Sequence, residues 1–327
     1  MNVETSILSP DLPASTERRS LGDRLFGGLT WLSAVAVLLV LGAIIVMLYL
    51  GARPAFEKFG FWHFITTAQW NPVTVQFGAL SPIVGTLASS LIAILIGLPV
   101  SFGIALFITE MAPPWLKRPV GTAIELLAAI PSIIYGMWGL FVFAPFFADH
   151  IQPLLTDTLG ELPLIGALFQ GPPLGISVFT AGIILAIMII PFIASVMRDV
   201  FETVPAELRE SAFGVGSTTW EVVWNVVLPL SKVGATGGVL LGLGRALGET
   251  MAVTFVIGNA HELHWALFEP GNSIASTIAN EFTEADGEVY TAALIALGLL
   301  LFIITFIVLA LAKLMLLRMS RQAGRQS

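Results

Sequence analysis

The sequence predicts an all-α integral membrane protein with six transmembrane helices. The mean hydropathy of its 327 residues is +0.89, 56% of them are hydrophobic and only 11% are charged, which excludes an ordinary soluble domain. Six apolar runs are about as long as the ~20 residues that a helix needs to span a bilayer. A polar segment between the fourth and fifth runs is patterned as two short helices joined by glycine.

The apolar runs place the spans and divide the chain. The predicted spans are Leu29–Leu50, Leu80–Ile108, Val120–Phe147, Ile176–Val196, Ala235–Ile257 and Thr291–Leu311. Prolines 82, 99 and 131 predict bends or partial re-entry in the second and third spans. Four segments are expected: a disordered N-terminal tail at 1–28, the first span with an outer loop at 29–79, a helical core at 80–313, and a C-terminal tail at 314–327.

The distribution of Lys and Arg predicts the orientation in the membrane. One side of the predicted topology carries most of them, namely Arg18, Arg19, Arg24, Lys117, Arg118, Arg198, Arg209, Lys232, Lys313, Arg318, Arg321 and Arg325. The opposite side carries Arg53 and Lys58 alone. Because basic loops stay in the cytoplasm, both termini and the polar segment between spans four and five are expected there.

That polar segment predicts a helix, a hinge and a second helix within the cytoplasmic loop 198–233. Pro205 and Glu207 suit the first turn of a short helix, which Gly214 and Gly216 then interrupt. Thr218 and Glu221 have the spacing of a capping box that starts a second helix. An apolar stripe of Trp220, Val223, Trp224 and Val227 follows at helical spacing. The alternative interpretation is an amphipathic connector on the bilayer surface.

Arg245 and Glu249 are the charged residues predicted inside the fifth span. A charge that faces lipid costs at least ~2.5 kcal/mol, so both side chains are expected to face other helices or a cavity. Their spacing of four residues allows them to pair on one helix. The functional hypothesis is that Arg245 contacts a passing anion and Glu249 holds its guanidinium in place. The alternative is a buried ion pair that only fixes the helix register.

Two further polar residues belong to the predicted third span. Ser132 follows Pro131 and is a candidate for the substrate pathway, although its hydroxyl could instead satisfy a backbone group freed by the proline. Glu125 lies near the cytoplasmic start of the span and could simply be interfacial.

Several kinds of chemical site are missing from the sequence. No Lys follows a Gly, so a Walker A phosphate loop is excluded, and no nucleophile elbow is present. His261 and His264 are three residues apart rather than four, so a solvated loop helix is favoured over a metal site. There is no cysteine. No catalytic residue, metal site or cofactor is therefore expected in this chain.

Three strings of residues carry a resemblance to a known family. Glu210-Ser211-Ala212, three residues, Gly216, nine residues, and Val-Val-Leu-Pro at 226–229 resemble the EAA loop of ABC importer permeases, with Ser211 where Ala is usual. AIPSIIYG at 129–136 and GRALGETMAVTFVIGN at 244–259 resemble the permeases of phosphate-specific importers. The resemblance covers about residues 60–315 and implies a type I ABC importer (MetI-like) permease fold for 80–313, in a bacterial inner membrane.

The resemblance also implies functional residues and partners. It assigns ATPase coupling within 205–229 to seven residues, namely Glu207, Glu210, Ser211, Ala212, Gly216, Leu228 and Pro229. It implies a second, PstA-like permease, two PstB-like ATPase subunits that bind the ATP and Mg²⁺, and a periplasmic PstS-like phosphate-binding protein. Phosphate importers have two related permease subunits, one of which is PstA. The first span, the N-terminal tail and the outer loop at 51–79 favour the other subunit over PstA.

Other functions stay open at this point. A permease for another oxyanion, such as sulfate or molybdate, would use an arginine in the same way. A membrane-embedded enzyme or a free-standing channel is a different class of function. The lack of catalytic groups and of an ATP site in this sequence argues against an enzyme.

Overall fold

The computed structural model describes residues 21–163 and 165–323, and for Leu21, Arg24 and residues 315–323 it describes the backbone alone. The predicted tail at 1–28 lies mostly outside the described residues, with Arg18 and Arg19, and so does Arg325. Residues 21–28 are helical rather than disordered, because α1 begins at Leu21.

Helices account for most of the described chain. They are α1 (Leu21–Phe59), α2 (Phe61–Thr66), α3 (Leu80–Leu106), α4 (Pro114–Ala128), α5 (Ser132–Trp138), α6 (Ala144–Phe146), α7 (Gln152–Leu159), α8 (Val178–Glu202), α9 (Ala206–Gly214), α10 (Thr219–Val222), α11 (Leu228–Leu247), α12 (Met251–Val256), α13 (Ile274–Glu281) and α14 (Glu288–Ala323). A short hairpin of β1 (Trp70–Asn71) and β2 (Gln76–Phe77) pairs Trp70 with Phe77.

Wider π-helical turns prolong or join several helices. They cover Phe107–Met111 after α3, Gly139–Phe143 and Phe147–Ile151 on either side of α6, and Val223–Val227 between α10 and α11. Gly166–Phe169 forms a 3₁₀ turn.

Six helical segments in the described chain are long and apolar enough to cross a membrane. They are Leu25–Phe59, Leu80–Met111, Ser132–Leu159, Val178–Glu202, Thr219–Leu247 and Glu288–Leu314. This confirms the all-α, six-span fold class, although two of the predicted spans are interrupted and shifted along the sequence.

The third and fifth spans are the ones that differ. The predicted span Val120–Phe147 is interrupted by Pro131, whose backbone is extended (φ −57°, ψ 136°), so α4 is separate and the span begins at Ser132. The predicted span Ala235–Ile257 is interrupted after Leu247, and α12 resumes at Met251. Apolar sequence lies on both sides of each interruption, so hydropathy averaged over the span did not place them.

The chain divides into two compact units, residues 1–47 and residues 48–327. The described part of the first unit is the beginning of α1, whose leucines, such as Leu29 and Leu38, are exposed. The second unit contains every other element, and all the sites described below belong to it.

Small residues allow close packing at the centre of the second unit, where α8 packs against α3 and α11. A Cβ added to Gly182 would lie 2.6 Å from Ile92, and one added to Gly242 would lie 2.4 Å from Ile193. The absence of a side chain at Gly242 therefore allows α11 to approach α8 closely. A second core joins the end of α1 to the hairpin, α13 and α14 through Ala55 and Leu297, among others.

Candidate functional site

The predicted helix–hinge–helix unit is present between the fourth and fifth spans. α9 ends at Gly214, and Gly216 has φ +92°, a left-handed conformation that glycine adopts without strain. The capping box is confirmed: the backbone N–H of Thr218 donates to Glu221 Oε2 at 2.7 Å, and the N–H of Glu221 donates to Thr218 Oγ1 at 3.4 Å. The hinge is open, because nothing lies within 4 Å of a Cβ added at Gly216.

The apolar stripe of this unit has two faces rather than one. Val223 and Val227 are buried in the helical core, whereas Trp220 and Trp224 are exposed and contact each other edge to face. Exposed apolar side chains of α9 and the hinge extend this surface at Leu208, Phe213 and Val215. An exposed apolar patch at a helical hinge is typical of a docking surface.

The residues assigned to coupling lie along this surface. Glu207, Glu210 and Ser211 are exposed on α9, where Ser211 Oγ donates to the carbonyl of Glu207 at 2.6 Å. Neither carboxylate pairs with a cation in the described part of the chain. The remaining coupling residues are Ala212, half-buried on α9, Gly216, and Leu228 and Pro229 in the first turn of α11.

Arg209, next to Glu210, forms an ion pair that the sequence did not predict. Its Nη2 lies 3.2 Å from Oε1 of Glu110, in the π-helical turn that ends the second span. The Glu110 side chain is 6% exposed and that of Arg209 is 20% exposed. The only sequence signal for it was an acidic residue directly after an apolar run.

Arg245 lies in the last turn of α11 rather than in the middle of a span. Its guanidinium carbon lies 5.6 Å from the centre of the Phe192 ring, and its charge acts on Tyr135 of α5. Its Nε is buried and has no hydrogen-bond partner among the described residues. A cation at this position also complements the negative end of the α11 dipole. Arg245 therefore retains a free donor.

Glu249 does not pair with Arg245 in the described structure, contrary to the prediction. The helix interruption removes the i, i+4 geometry that the pair needs, because α11 ends before Glu249. Oε1 of Glu249 instead accepts from the backbone N–H of Ala252 at 3.4 Å, in the first turn of α12. The carboxylate therefore faces the start of α12.

The two interrupted spans pack together where their interruptions occur. α5 and α12 approach so closely that a Cβ added at Gly136 would lie 3.0 Å from Cα of Ala252. Ser132 is half-buried in the first turn of α5. Tyr135, one turn later, donates to the carbonyl of Leu127 at 2.9 Å across the interruption. The arrangement brings α5 and Tyr135 close to Arg245, although no contact joins Ser132 to Arg245.

Glu125 joins two helices rather than lying alone at an interface. Its Oε1 accepts from Arg198 Nη2 at 2.7 Å, and the same Nη2 lies 2.7 Å from Oδ1 of Asp199. This contact ties α4 to α8 at the end of the fourth span.

The segments predicted as outer loops are largely folded. Within 51–79 lie the end of α1, α2 and the hairpin, and within 258–290 lie α13 and the start of α14. His261 is in an irregular segment, not in a loop helix as expected. Its ring stacks on Trp70 at a centroid distance of 5.7 Å.

Glu281 joins these outer segments. Its Oε2 accepts from Trp70 Nε1 at 2.6 Å and from the Tyr290 hydroxyl at 2.7 Å, and its Oε1 lies 2.6 Å from His261 Nε2. Burial acts to raise the pKa of Glu281, but hydrogen bonds from His261, Tyr290 and Trp70 outweigh it and hold that pKa below its ordinary value of 4.5. The carboxylate is therefore ionised at neutral pH.

The sequence matches a family of known membrane transport proteins. A family model described as binding-protein-dependent transport system inner membrane component matches residues 97–321. The chain belongs to this permease family. The match extends from the second span through the hinge region and the sixth span, so it includes both interrupted spans and the coupling residues.

Curated relatives resemble this permease over almost its whole length. The phosphate transport system permease protein PstC of Pasteurella multocida is 59% identical over 305 residues, which are 92% of this chain and 94% of that protein. The protein of the same name from Xylella fastidiosa (strain 9a5c) is 57% identical over 325 residues, covering 98% and 99% of the two chains.

A solved structure shares the fold. It is the crystal structure of a bacterial ABC transporter involved in the import of the polysaccharide alginate, with a TM-score of 0.58 and 21% identity over 90% of this chain and 99% of that one. At this identity the likeness supports the type I importer permease fold alone.

Proposed function

We propose that this chain is a PstC-type permease subunit of an ATP-driven phosphate importer and forms half of its translocation pathway. The observation that supports this most strongly is the identity of 54–59% to several phosphate transport permeases named PstC over at least 92% of the chain. The chain itself is a non-catalytic subunit, and ATP and Mg²⁺ bind to a partner.

The exposed hinge region is the proposed docking surface for one of the two PstB-like ATPase subunits. Its apolar side chains suit insertion into a groove, and the unpaired Glu207 and Glu210 at its side are free to meet basic residues of the partner. This assignment requires that both termini and the hinge are cytoplasmic, as the distribution of basic residues indicates.

Arg245 is the proposed anion contact. An importer must release its substrate, so a weak site is appropriate, and a single guanidinium that forms no ion pair among the described residues meets that requirement. Glu249 and Ser132, at the two interruptions, are proposed to complete the polar lining together with residues of a PstA-like second permease. A PstS-like receptor would deliver phosphate to the opposite, outer surface.

Phosphate uptake in living cells tests this function. Cells that lack this chain should take up radiolabelled phosphate slowly, and plasmid-borne expression of the chain should restore the high-affinity component. Uptake of labelled sulfate and molybdate should be equal in the two strains. If the deletion changes sulfate or molybdate uptake and leaves phosphate uptake unchanged, the proposed substrate is wrong.

A further inference from the structure

Arg209 attaches the hinge region to the membrane-spanning helices. Arg209 lies on α9, between the exposed Leu208 and Glu210, yet its own side chain is directed inward. It contacts Glu110, which belongs to the last turn of the second span. A charged pair with exposures of 20% and 6% is more strongly coupled than a surface pair, because water screens it less.

The same guanidinium has a second attachment. Nη2 of Arg209 donates to the backbone carbonyl of Phe201 at 2.6 Å, in the last turn of α8. Phe201 is fully buried, and its ring packs edge to face on Phe102 of α3. One side chain of α9 therefore holds the cytoplasmic ends of two spans, the second through Glu110 and the fourth through Phe201.

The attachment is not fully satisfied in this structure. Nε of Arg209 and Oε1 of Glu110 are buried, and neither has a hydrogen bond of good geometry within the described chain. The 3.2 Å contact between Glu110 Oε1 and Arg209 Nη2 is thus an ion pair without an aligned hydrogen bond. Buried charged groups with unused hydrogen-bonding capacity favour any displacement that aligns them. A small shift of α9 can provide that alignment.

We propose that the Arg209–Glu110 pair transmits movement of the hinge region into the second and fourth spans. The inference rests on the proposed function, in which an ATPase moves α9. Arg209 and Glu110 are positioning residues, because neither is placed in contact with the transported anion. Their contact converts a displacement at the docking surface into a displacement of the helices around the pathway.

The test measures coupling rather than activity alone. The complete importer with its receptor is reconstituted in proteoliposomes, and ATP hydrolysis and phosphate accumulation are measured in the same vesicles. Glu110→Gln should leave ATP hydrolysis within about twofold of wild type and lower phosphate accumulation about tenfold, so the ATP used per phosphate rises about tenfold. A pair with only a structural role would lower both rates together and leave that ratio unchanged.

A second variant and a matched control accompany it. Arg209→Met keeps an unbranched side chain but lacks the Nη2 group that contacts both Glu110 and Phe201, so it should raise the ATP used per phosphate as well, even if Glu110→Gln does not assemble. The double variant Arg53→Gln/Glu57→Gln removes an exposed ion pair of α1 and should keep the wild-type ratio.

The outcomes separate the two proposals. A wild-type ratio of ATP used per phosphate in an assembled Arg209→Met importer overturns the transmission role. Wild-type vesicles that accumulate no phosphate overturn the proposed substrate instead, and the ratio can then be read with the anion that they do accumulate.

Discussion

Replacing Glu281 by Gln should loosen the packing of the β1–β2 hairpin against α13 and α14. The carboxylate accepts two hydrogen bonds on Oε2, from Trp70 and Tyr290, and one on Oε1, from His261. Gln retains one oxygen for Trp70 and Tyr290, but its NH₂ group then faces His261 Nε2. His261 cannot readily exchange its proton to the other nitrogen, because its Nδ1 faces the amide nitrogen of Asn272 at 2.8 Å.

The magnitude follows from these three contacts. Hydrogen bonds to a charged group contribute about 1.5–3 kcal/mol each, and neutral ones about 1 kcal/mol. Two bonds are weakened by about 1 kcal/mol each and the third is lost, but the side chain is 13% exposed, so water replaces part of the loss. We expect about 3 kcal/mol of local stability to be lost, which corresponds to roughly 100-fold faster opening at 1.36 kcal/mol per tenfold.

Hydrogen–deuterium exchange on the assembled importer measures this opening. Amides of residues 70–77 and 271–281 should exchange roughly 100-fold faster in Glu281→Gln, while those of α8 keep their wild-type rates. Glu262→Gln is the matched control, because that side chain is 85% exposed and makes one contact, to His264 at 3.3 Å. Equal exchange in Glu281→Gln and wild type would refute the reasoning.

The same contacts predict a pH dependence. Because the pKa of Glu281 is lower in the folded protein than its ordinary value of 4.5, its stabilising effect is complete above that value and is lost as the pH falls through the lowered pKa. Protection of residues 70–77 should therefore fall on acidification below the ordinary range of a glutamate. The Gln variant should lack this component.

Three other predictions concern the hinge, the interrupted spans and the outer surface. Gly216→Ala should lower the free energy of unfolding by about 1 kcal/mol through the positive φ alone, since no atom lies near the added Cβ. Gly216→Pro should lower co-purification of the ATPase. Normal co-purification and transport in Gly216→Pro would contradict the hinge role. Arg245→Gln and Glu249→Gln should each lower phosphate uptake in assembled importers. A double-mutant cycle on uptake should show a coupling below ~0.5 kcal/mol, because the two side chains do not pair. Restored transport in the double variant would contradict the anion contact. A crosslinker on Cys introduced at the exposed Gln170 or Trp265 should reach the receptor, while one at the buried Asn272 should not. Adducts formed only with cytoplasmic proteins would show that the predicted orientation in the membrane is wrong.

The sequence predicted the features that depend on local pattern. Six spans followed from hydropathy, and the capping box of Thr218 and Glu221 followed from spacing that two residues satisfy by themselves. The glycine at 216 likewise marked the positive φ of the hinge. In each case the information needed was contained within a few neighbouring residues or one apolar run.

Long-range contacts were not accessible in the same way. The partners of Glu281 come from residues as far as 211 positions away, and Arg209 meets Glu110 only because the ends of three helices converge. The expected pairing of Arg245 with Glu249 failed for a local reason, because the helix is interrupted after Leu247 and resumes only at Met251. The interruption at Pro131 had a clear signal, but the apolar residues on both sides of it outweighed that signal in the placement of the third span.

Transport by purified components gives the clearest test of the proposed role. Proteoliposomes that contain this permease, its partner permease and the ATPase should accumulate radiolabelled phosphate against a gradient when ATP and the phosphate receptor are supplied. Vesicles made without this chain should accumulate none, and those with Arg245→Gln in its place should accumulate much less. Accumulation of sulfate or molybdate instead of phosphate, or phosphate entry that needs no ATP, would contradict an ATP-driven phosphate importer.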